Sequence, residues 1–400
     1  MRQSPMLEYS LSEFEGRMAK AAEKVKAAGL KCIMGTSKAM VCYLTGLRSV
    51  AWKSKLSTPG LIFLGADGNY GVVGSFSAVD TAMYTTCLDK EDFYFFDASG
   101  RYGVALNYYD ALCYTLRHLG FTDGKIGCEL SGGFHLHMDI AMFNDLKRDF
   151  PDLEFVDTTE LFWDILAVKS EAQLKNMRDA EEVNRKAVAK GLEVIKPGSM
   201  TEMELYKEIA KAGYLAGSEH FTYMSVLAGA ERALCADCPA SEAVVIPDAP
   251  GTTVRVEGGA IRRELNAPFT ANIVVGGVQP EQQPAWDLAT GMIESAMAAV
   301  KPGACAGDVA DAMDAFASAQ GKAEWVVQPG YAGSGIGWGR IDGPLLRKNS
   351  KFALNTGMVL TLVASVRHDS VGVLTLRQNV VVTDSGCSFL NGKTSDPLTV

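Results

Sequence analysis

The tripeptide Lys-Pro-Gly occurs twice in this chain, at 196–198 and 301–303, in matching surroundings. GLEVIKPGSMTEMELYKEI (191–209) and AMAAVKPGACAGDVADAM (296–313) each read as helix, Val/Ile, Lys-Pro-Gly, a small turn and a second helix. Proline stops a helix and glycine accepts the left-handed backbone that reverses the chain. One such stop carries little information. Two with the same flanks demand a domain of two related halves, each pairing helices with β-ribbon. The ribbons are TTVRVEGGAI, ANIVVGGV, GMVLTLVASV and RQNVVVTDSG, whose alternating or continuous apolar patterns suit strands.

That domain cannot account for the whole chain. Four hundred residues exceed what one core organises, so two domains are expected. Before the duplicated part, residues 11–29 repeat apolar positions at helical spacing and end on Gly29. The short apolar runs KCIMG, GLIFLG, YGVVG and DFYFFDA follow, with helical stretches at 104–119 and 138–149. The pattern predicts an α/β N-terminal domain over 1–165 and an α+β domain with two pseudo-symmetric halves over 166–400.

Composition narrows the function classes. A net charge of −9 argues against nucleic acid or an anionic membrane as partner. No stretch is apolar for long enough to span a bilayer, and the polar start MRQSPMLEYSLSEFEGRMAK predicts no secretory signal. Nine scattered cysteines fit a reducing compartment better than a disulfide framework. The chain reads as cytoplasmic.

One loop, GSGIGWG (333–339), looks like a phosphate cradle. A nucleotide loop should follow a strand and open a helix, with a carboxylate some distance on. GSGIGWGRIDGP instead runs into Pro344 and the charged turn LLRKN. The glycines are therefore expected to let backbone approach a cavity closely.

Taken together, VKSEAQLKNMRDA (168–180), both Lys-Pro-Gly turns, VEGGA (256–260), IVVGG (273–277), GSGIGWG, NTGMVLTL (355–362) and NVVVTDSG (379–386) resemble the creatinase/prolidase/aminopeptidase P family. The resemblance spans nearly the whole chain. It implies the pita-bread fold for 166–400, and a homodimer. In the metal-dependent members two Asp, one His and two Glu hold a pair of divalent ions that activate water. The matching positions here carry Glu257, Pro268, Ser334, Val363 and Arg377. A single carboxylate remains, and Arg377 puts a permanent cation where ions would sit. The expectation is no metal and no cofactor.

Creatinase is the family's metal-free precedent, hydrolysing a C–N bond of a small zwitterion with a histidine for proton transfer and arginines for the carboxylate. GRIDGPLLR (339–347) is similar to the segment carrying one of those arginines, which corresponds to Arg340. A second cation is implied after YLTG (43–46). The aligned residue is Ser54, but Arg48, Lys53 and Lys55 surround it, and Trp52 offers an aromatic wall. The proton shuttle falls in AGAERALCADCPAS (228–241), on Ala236 or Asp237 depending on one residue of gap placement. Asp237 could act as base if burial raised its pKa.

Beside Asp237, Cys235 and Cys238 form a C-x-x-C. With no second pair, a structural zinc is not expected; they serve either as small apolar fillers or, with Arg232 or Arg377 lowering a pKa, as nucleophile. Among the five histidines, His220 is the alternative base. His118, His135 and His137 lie away from the expected cavity, and His368 belongs to a ribbon turn. Alternation along a strand would turn Glu257 and Arg263 inward together, with Arg262 and Glu264 outward.

The expected function is a metal-independent, creatinase-like hydrolase or lyase acting on a small carboxylated amine, amidine or related zwitterion. Its alternative is a catalytically inert pita-bread protein that binds a ligand or peptide. An ordinary Xaa-Pro peptidase with an altered metal site is the least favoured.

Overall fold

A computed structural model describes residues 1–50, 60–131, 136–235 and 238–400. The chain divides into two compact units, 1–166 and 167–400. Among the described residues no helix is long and apolar enough to cross a membrane.

The first unit holds a six-stranded mixed sheet of β1 (Cys32–Gly35), β2 (Leu61–Gly65), β3 (Tyr70–Ser75), β4 (Phe93–Phe96), β5 (Gly124–Cys128) and β6 (Leu153–Asp157), in the order β4-β3-β2-β1-β5-β6. Its helices are α1 (Leu11–Ala27), α2 (Lys38–Thr45), α3 (Val79–Thr85), α4 (Tyr108–His118), α5 (Ile140–Asp149) and α6 (Thr159–Ala167). The apolar runs became strands because the sheet buries them: Met34, Phe63, Phe121 and Leu112 share one core. Ser10 caps α1 through a hydrogen bond from the Glu13 amide, and Gly29, at φ 68°, lies just past its end.

The second unit shows why the Lys-Pro-Gly repeat matters. Helix α7 (Glu171–Val194) ends, Gly198 turns the chain at φ 80°, and the Thr201/Glu204 capping box opens α8 (Glu202–Leu215). One half later, α10 (Gln283–Ala299) ends, Gly303 turns at φ 81°, and Cys305 with Asp308 opens α11 (Ala306–Ala319). The tertiary bonds repeat as well. The Gly198 amide donates to the Ile246 carbonyl at 2.8 Å and the Gly303 amide to the Leu354 carbonyl at 2.9 Å. The duplication is thus in the hydrogen-bond pattern, not only in the letters.

Each half has its own sheet and core. Strands β7 (Phe221–Ala228), β8 (Thr253–Arg262), β9 (Leu265–Val274) and β15 (Leu398–Thr399) form one sheet, ordered β15-β9-β8-β7. The short α9 (Ala230–Ala233) follows β7. Strands β10 (Tyr331–Gly335), β11 (Asp342–Arg347), β12 (Val359–His368), β13 (Gly372–Thr383) and β14 (Gly386–Phe389) form the other, ordered β11-β10-β12-β13-β14. Leu205, Ile209, Val226 and Val254 fill the first core; Trp286, Met292, Leu360 and Leu376 belong to the second. The sheets meet along β9 and β13, where the Asn272 side chain donates to the Thr375 carbonyl at 2.9 Å and Asn379 to the Pro268 carbonyl at 2.8 Å.

The glycine loop is pinned from both sides. At Gly333, φ is 130° and a Cβ would lie 1.9 Å from the Thr361 carbonyl oxygen; at Gly337, φ is 139° and a Cβ would lie 2.7 Å from Lys169 Cε. The glycines admit backbone and a buried lysine, with no phosphate needed to explain them. Gly333→Ala is expected to lose roughly 2–3 kcal/mol, because both the left-handed backbone and the clash with a main-chain oxygen must be relieved. Chemical denaturation of the two proteins measures it.

Candidate functional site

A cavity of about 620 Å³ opens in the second unit, lined from β8, β10, β12, β13 and the loop at 340–341. Strand parity builds its walls. Arg255 and Glu257 lie two residues apart on β8; Val363, Ser365 and Arg367 alternate along β12; Val373, Thr375 and Arg377 alternate along β13. Four arginines, 255, 340, 367 and 377, therefore share the cavity with one carboxylate, Glu257, among the described residues.

The polar groups are linked. Arg377 Nε donates to Thr270 Oγ1 at 3.2 Å, and that hydroxyl donates to Glu257 Oε1 at 3.4 Å. Arg377 Nη1 also donates to Thr361 Oγ1 at 3.1 Å. Arg255, only 4% exposed, approaches Glu257 at 3.7 Å and is fixed by donating to the Ala233 carbonyl at 3.2 Å. The Arg340 guanidinium stacks over the Tyr223 ring, 4.7 Å from its centroid, a contact that orients a cation without neutralising it. Burial pushes the Tyr331 phenol up, so it remains a protonated donor at neutral pH. Among the described residues the site is a preorganised positive pouch with one anionic point on its wall.

The expected residues fare unequally. Glu257, Ser334, Arg340 and Arg377 are brought together around this cavity, and Val363 faces Arg377 directly across the β12/β13 ladder. Pro268 is paired with Gly259 and does not line it. Ser334 is fully buried and donates to the Gly335 carbonyl at 2.9 Å. Arg263 needs a correction. Arg263 and Glu264, at φ 51° and 65°, form the two-residue turn joining β8 to β9. Strand parity ends at that turn, and Arg263 is exposed at its tip instead of pointing inward with Glu257.

The bases and nucleophiles also sort out. No histidine lines the cavity among the described residues. His220 precedes β7, with its carbonyl accepting from Ser218 Oγ at 2.8 Å; His118 stacks on Tyr114, and His368 bonds Ser370. Cys235 does line the cavity, but its thiol is pushed up, first by a hydrogen bond with the Cys238 thiol and then by desolvation. Arg232, bound to the fully buried Glu202 at 2.8 Å, and Arg255 pull it the other way and are outweighed. Cys238 itself does not line the cavity; its carbonyl accepts from Ser225 Oγ at 2.8 Å. Arg48 is ion-paired with Glu8 within the first unit. Trp52, Lys53, His135 and Asp237 lie outside the described residues.

Could these residues hold a metal pair? Among the described residues no three His, Cys, Asp or Glu side chains converge in a way that would bind a metal ion. Among the described residues, one carboxylate amid four guanidiniums does not fit two divalent cations, which need several shared anionic oxygens or imidazoles.

Comparison with known proteins complements this geometry. Residues 175–384 match the family model described as Metallopeptidase family M24. Over 96% of both chains the protein is 23% identical to the ectoine hydrolase of Halomonas elongata. It is 22% identical to the Xaa-Pro dipeptidase of Pyrococcus horikoshii over 64% of this chain and 72% of that protein. Among solved structures, dipeptidase PepE from Mycobacterium ulcerans superposes with a TM-score of 0.81 at 19% identity, covering 98% of this chain and 99% of that one.

Proposed function

Because the chain belongs to metallopeptidase family M24, we propose that it is a hydrolase that has exchanged the family's metal chemistry for arginine electrostatics, acting on a small carboxylated amine, amidine or related zwitterion. The observation that carries this is the cavity wall, with Arg255, Arg340, Arg367 and Arg377 set against Glu257, its one carboxylate among the described residues. Guanidiniums match carboxylates in shape and charge, while Glu257 gives the cationic end of a zwitterion a partner. The similarity to an ectoine hydrolase along the full length of both chains supports this substrate class, since ectoine is an amidine bearing a carboxylate.

In this reading Arg340 and Arg377 hold the carboxylate, and Glu257 takes a proton from water as its oxygen bonds to the carbon of the C–N unit. The C–N bond then breaks, and the departing nitrogen receives that proton. Asp237 is the other carboxylate available for the role, from the segment between Cys235 and Cys238.

The test is turnover of ectoine, creatine and glycine betaine by the purified protein, followed by mass spectrometry. Consumption of at least one is expected, reduced about 100-fold or more by the variant of whichever carboxylate is the base, Glu257→Gln or Asp237→Asn. Consumption that disappears with chelator and returns with Mn or Zn would overturn the metal-free reading.

One observation favours a second reading, a binder without chemistry: neither a histidine nor an activated thiol faces the cavity among the described residues. A binder would gain thermal stability from a ligand by mass action and return it unaltered.

A further inference from the structure

We propose that the substrate of the arginine cavity carries a second acidic group, and that Arg367 is the residue that selects it. The substrate class becomes a carboxylated amine or amidine with a further carboxylate at its far end. This rests on the reading above, in which Arg340 and Arg377 hold the first carboxylate.

Strand register sets the length of the cavity. On the β12/β13 ladder Val363 faces Arg377, Ser365 faces Thr375 and Arg367 faces Val373, and all six line the cavity. The first and last of these rows are four residues apart, about 13 Å at roughly 3.3 Å per residue. Arg377 belongs to the end that holds Thr270 and Glu257; Arg367 belongs to the other. That second end has walls of its own. The Val327 amide donates to the Ser365 carbonyl at 2.9 Å, which holds Val327 beside it. A Cβ on Gly372 would lie 2.1 Å from the Ala230 carbonyl oxygen, so α9 packs directly on the start of β13. Leu234 and Val327, 52% and 40% exposed, make the lining there apolar.

The arginines differ in what they already hold. Arg255 is buried against Glu257 and the Ala233 carbonyl. Arg377 donates to two threonine hydroxyls, and Arg340 lies over the Tyr223 ring. Arg367 is exposed, and among the described residues its side chain makes no hydrogen bond, ion pair or ring contact. It is the cation at the far end with its donors still to spend.

Charge points the same way. Among the described residues, four guanidiniums against one carboxylate leave an excess of three positive charges in the lining, and a zwitterion of no net charge relieves none of it. A ligand with two carboxylates and one cationic nitrogen has a partner for every charge: Arg340 and Arg377, Glu257, and Arg367. Between the ends, Val363, Val373 and the Ser365 and Thr375 hydroxyls, bonded to each other at 2.9 Å, offer a mostly apolar track for the linker. A volume of about 620 Å³ falls within the range of sites that enclose such extended ligands.

Unbranched α,ω-dicarboxylates from succinate to sebacate are the probes, each titrated calorimetrically into the full chain beside its monomethyl ester. Once the chain spans both ends, the diacid should bind about tenfold or more tightly than its ester, while succinate, too short, shows no such advantage. Arg367→Gln, at an exposed position that should leave the fold intact, should remove the advantage and cost the esters far less. Arg377→Met should weaken diacid and ester together. The proposal is overturned if diacid and ester bind alike at every length, or if Arg367→Gln weakens both equally, which would make Arg367 a source of long-range attraction alone. Those outcomes leave the first carboxylate's grip standing. If neither series binds, or if ester binding is indifferent to Arg377→Met, that grip fails and the second site fails with it.

Discussion

Arg377→Met is expected to weaken binding of carboxylated ligands by about 100-fold or more, while leaving the protein folded. Truncating one partner of a desolvated charge pair costs roughly 2–5 kcal/mol, and each 1.4 kcal/mol is about tenfold. Arg377 is a demanding case because its guanidinium does two things. Its Nε and Nη1 donate to Thr270 and Thr361, and through Thr270 it is coupled to Glu257. Methionine preserves the aliphatic stem and the β13 pairing with Val363, so lost affinity should not come with a lost fold. Arg377→Lys should recover only part of the affinity, since one ammonium cannot reach both hydroxyls and a carboxylate in a planar array. Calorimetry with ectoine or whichever panel compound binds measures the effect, alongside a matched neutral ester whose affinity should hardly change. An equal loss for acid and ester would mean that Arg377 shapes the cavity without gripping charge.

The wall around Arg377 is partly legible in the sequence, and the reason is local. Glu257, Ser334, Arg340 and Arg377 sit in short motifs whose backbone pattern is set by nearby glycines and strand alternation, so position in the motif predicts position in the cavity. Arg255 was legible in principle, two residues before Glu257 on the same strand face, but no motif singles it out. Arg367 likewise follows Val363 and Ser365 by alternation. Arg263 misled because its hairpin turn uses Arg and Glu at positive φ, where Asn-Gly would have announced the turn. Contacts made across elements were out of reach. Nothing near Tyr223 shows that Arg340 will stack on it. Nor does the neighbourhood of Arg232 reveal that Glu202 occupies it. Duplication was the most readable feature, because proline, positive-φ glycine and a capping residue act within a few residues of one another.

Asp342→Ala is expected to destabilise the second unit by about 3–5 kcal/mol, since it leaves a buried lysine without its counter-charge. Lys169 and Asp342 are both deeply buried, at 6% and 4% exposure. Lys169 Nζ donates to the Ala167 carbonyl at 3.1 Å, and Asp342 accepts from the Trp338 amide at 2.8 Å. Desolvation dominates each: it lowers Lys169 to about 8 and raises Asp342 to about 6, with their mutual attraction opposing both shifts. The signs follow from linkage. A raised carboxyl favours the fold below its ordinary value near 3.8, and that contribution fades as pH rises through about 6. A depressed lysine favours the fold above about 10.5, and that contribution fades as pH falls through about 8. Around neutral pH neither contribution remains, so the ionised pair is held at a net cost beside the glycine loop, where Lys169 approaches Gly337. The double variant Lys169→Met/Asp342→Leu should therefore be as stable as the parent or more so at neutral pH, and should lose the parent's decline between about pH 4 and 6. Urea denaturation of the parent, Asp342→Ala and the double variant across that range decides it. If the double variant is as damaged as Asp342→Ala, the pair supplies packing or hydrogen bonds that no apolar substitute can replace, and desolvation is not the dominant force at this site.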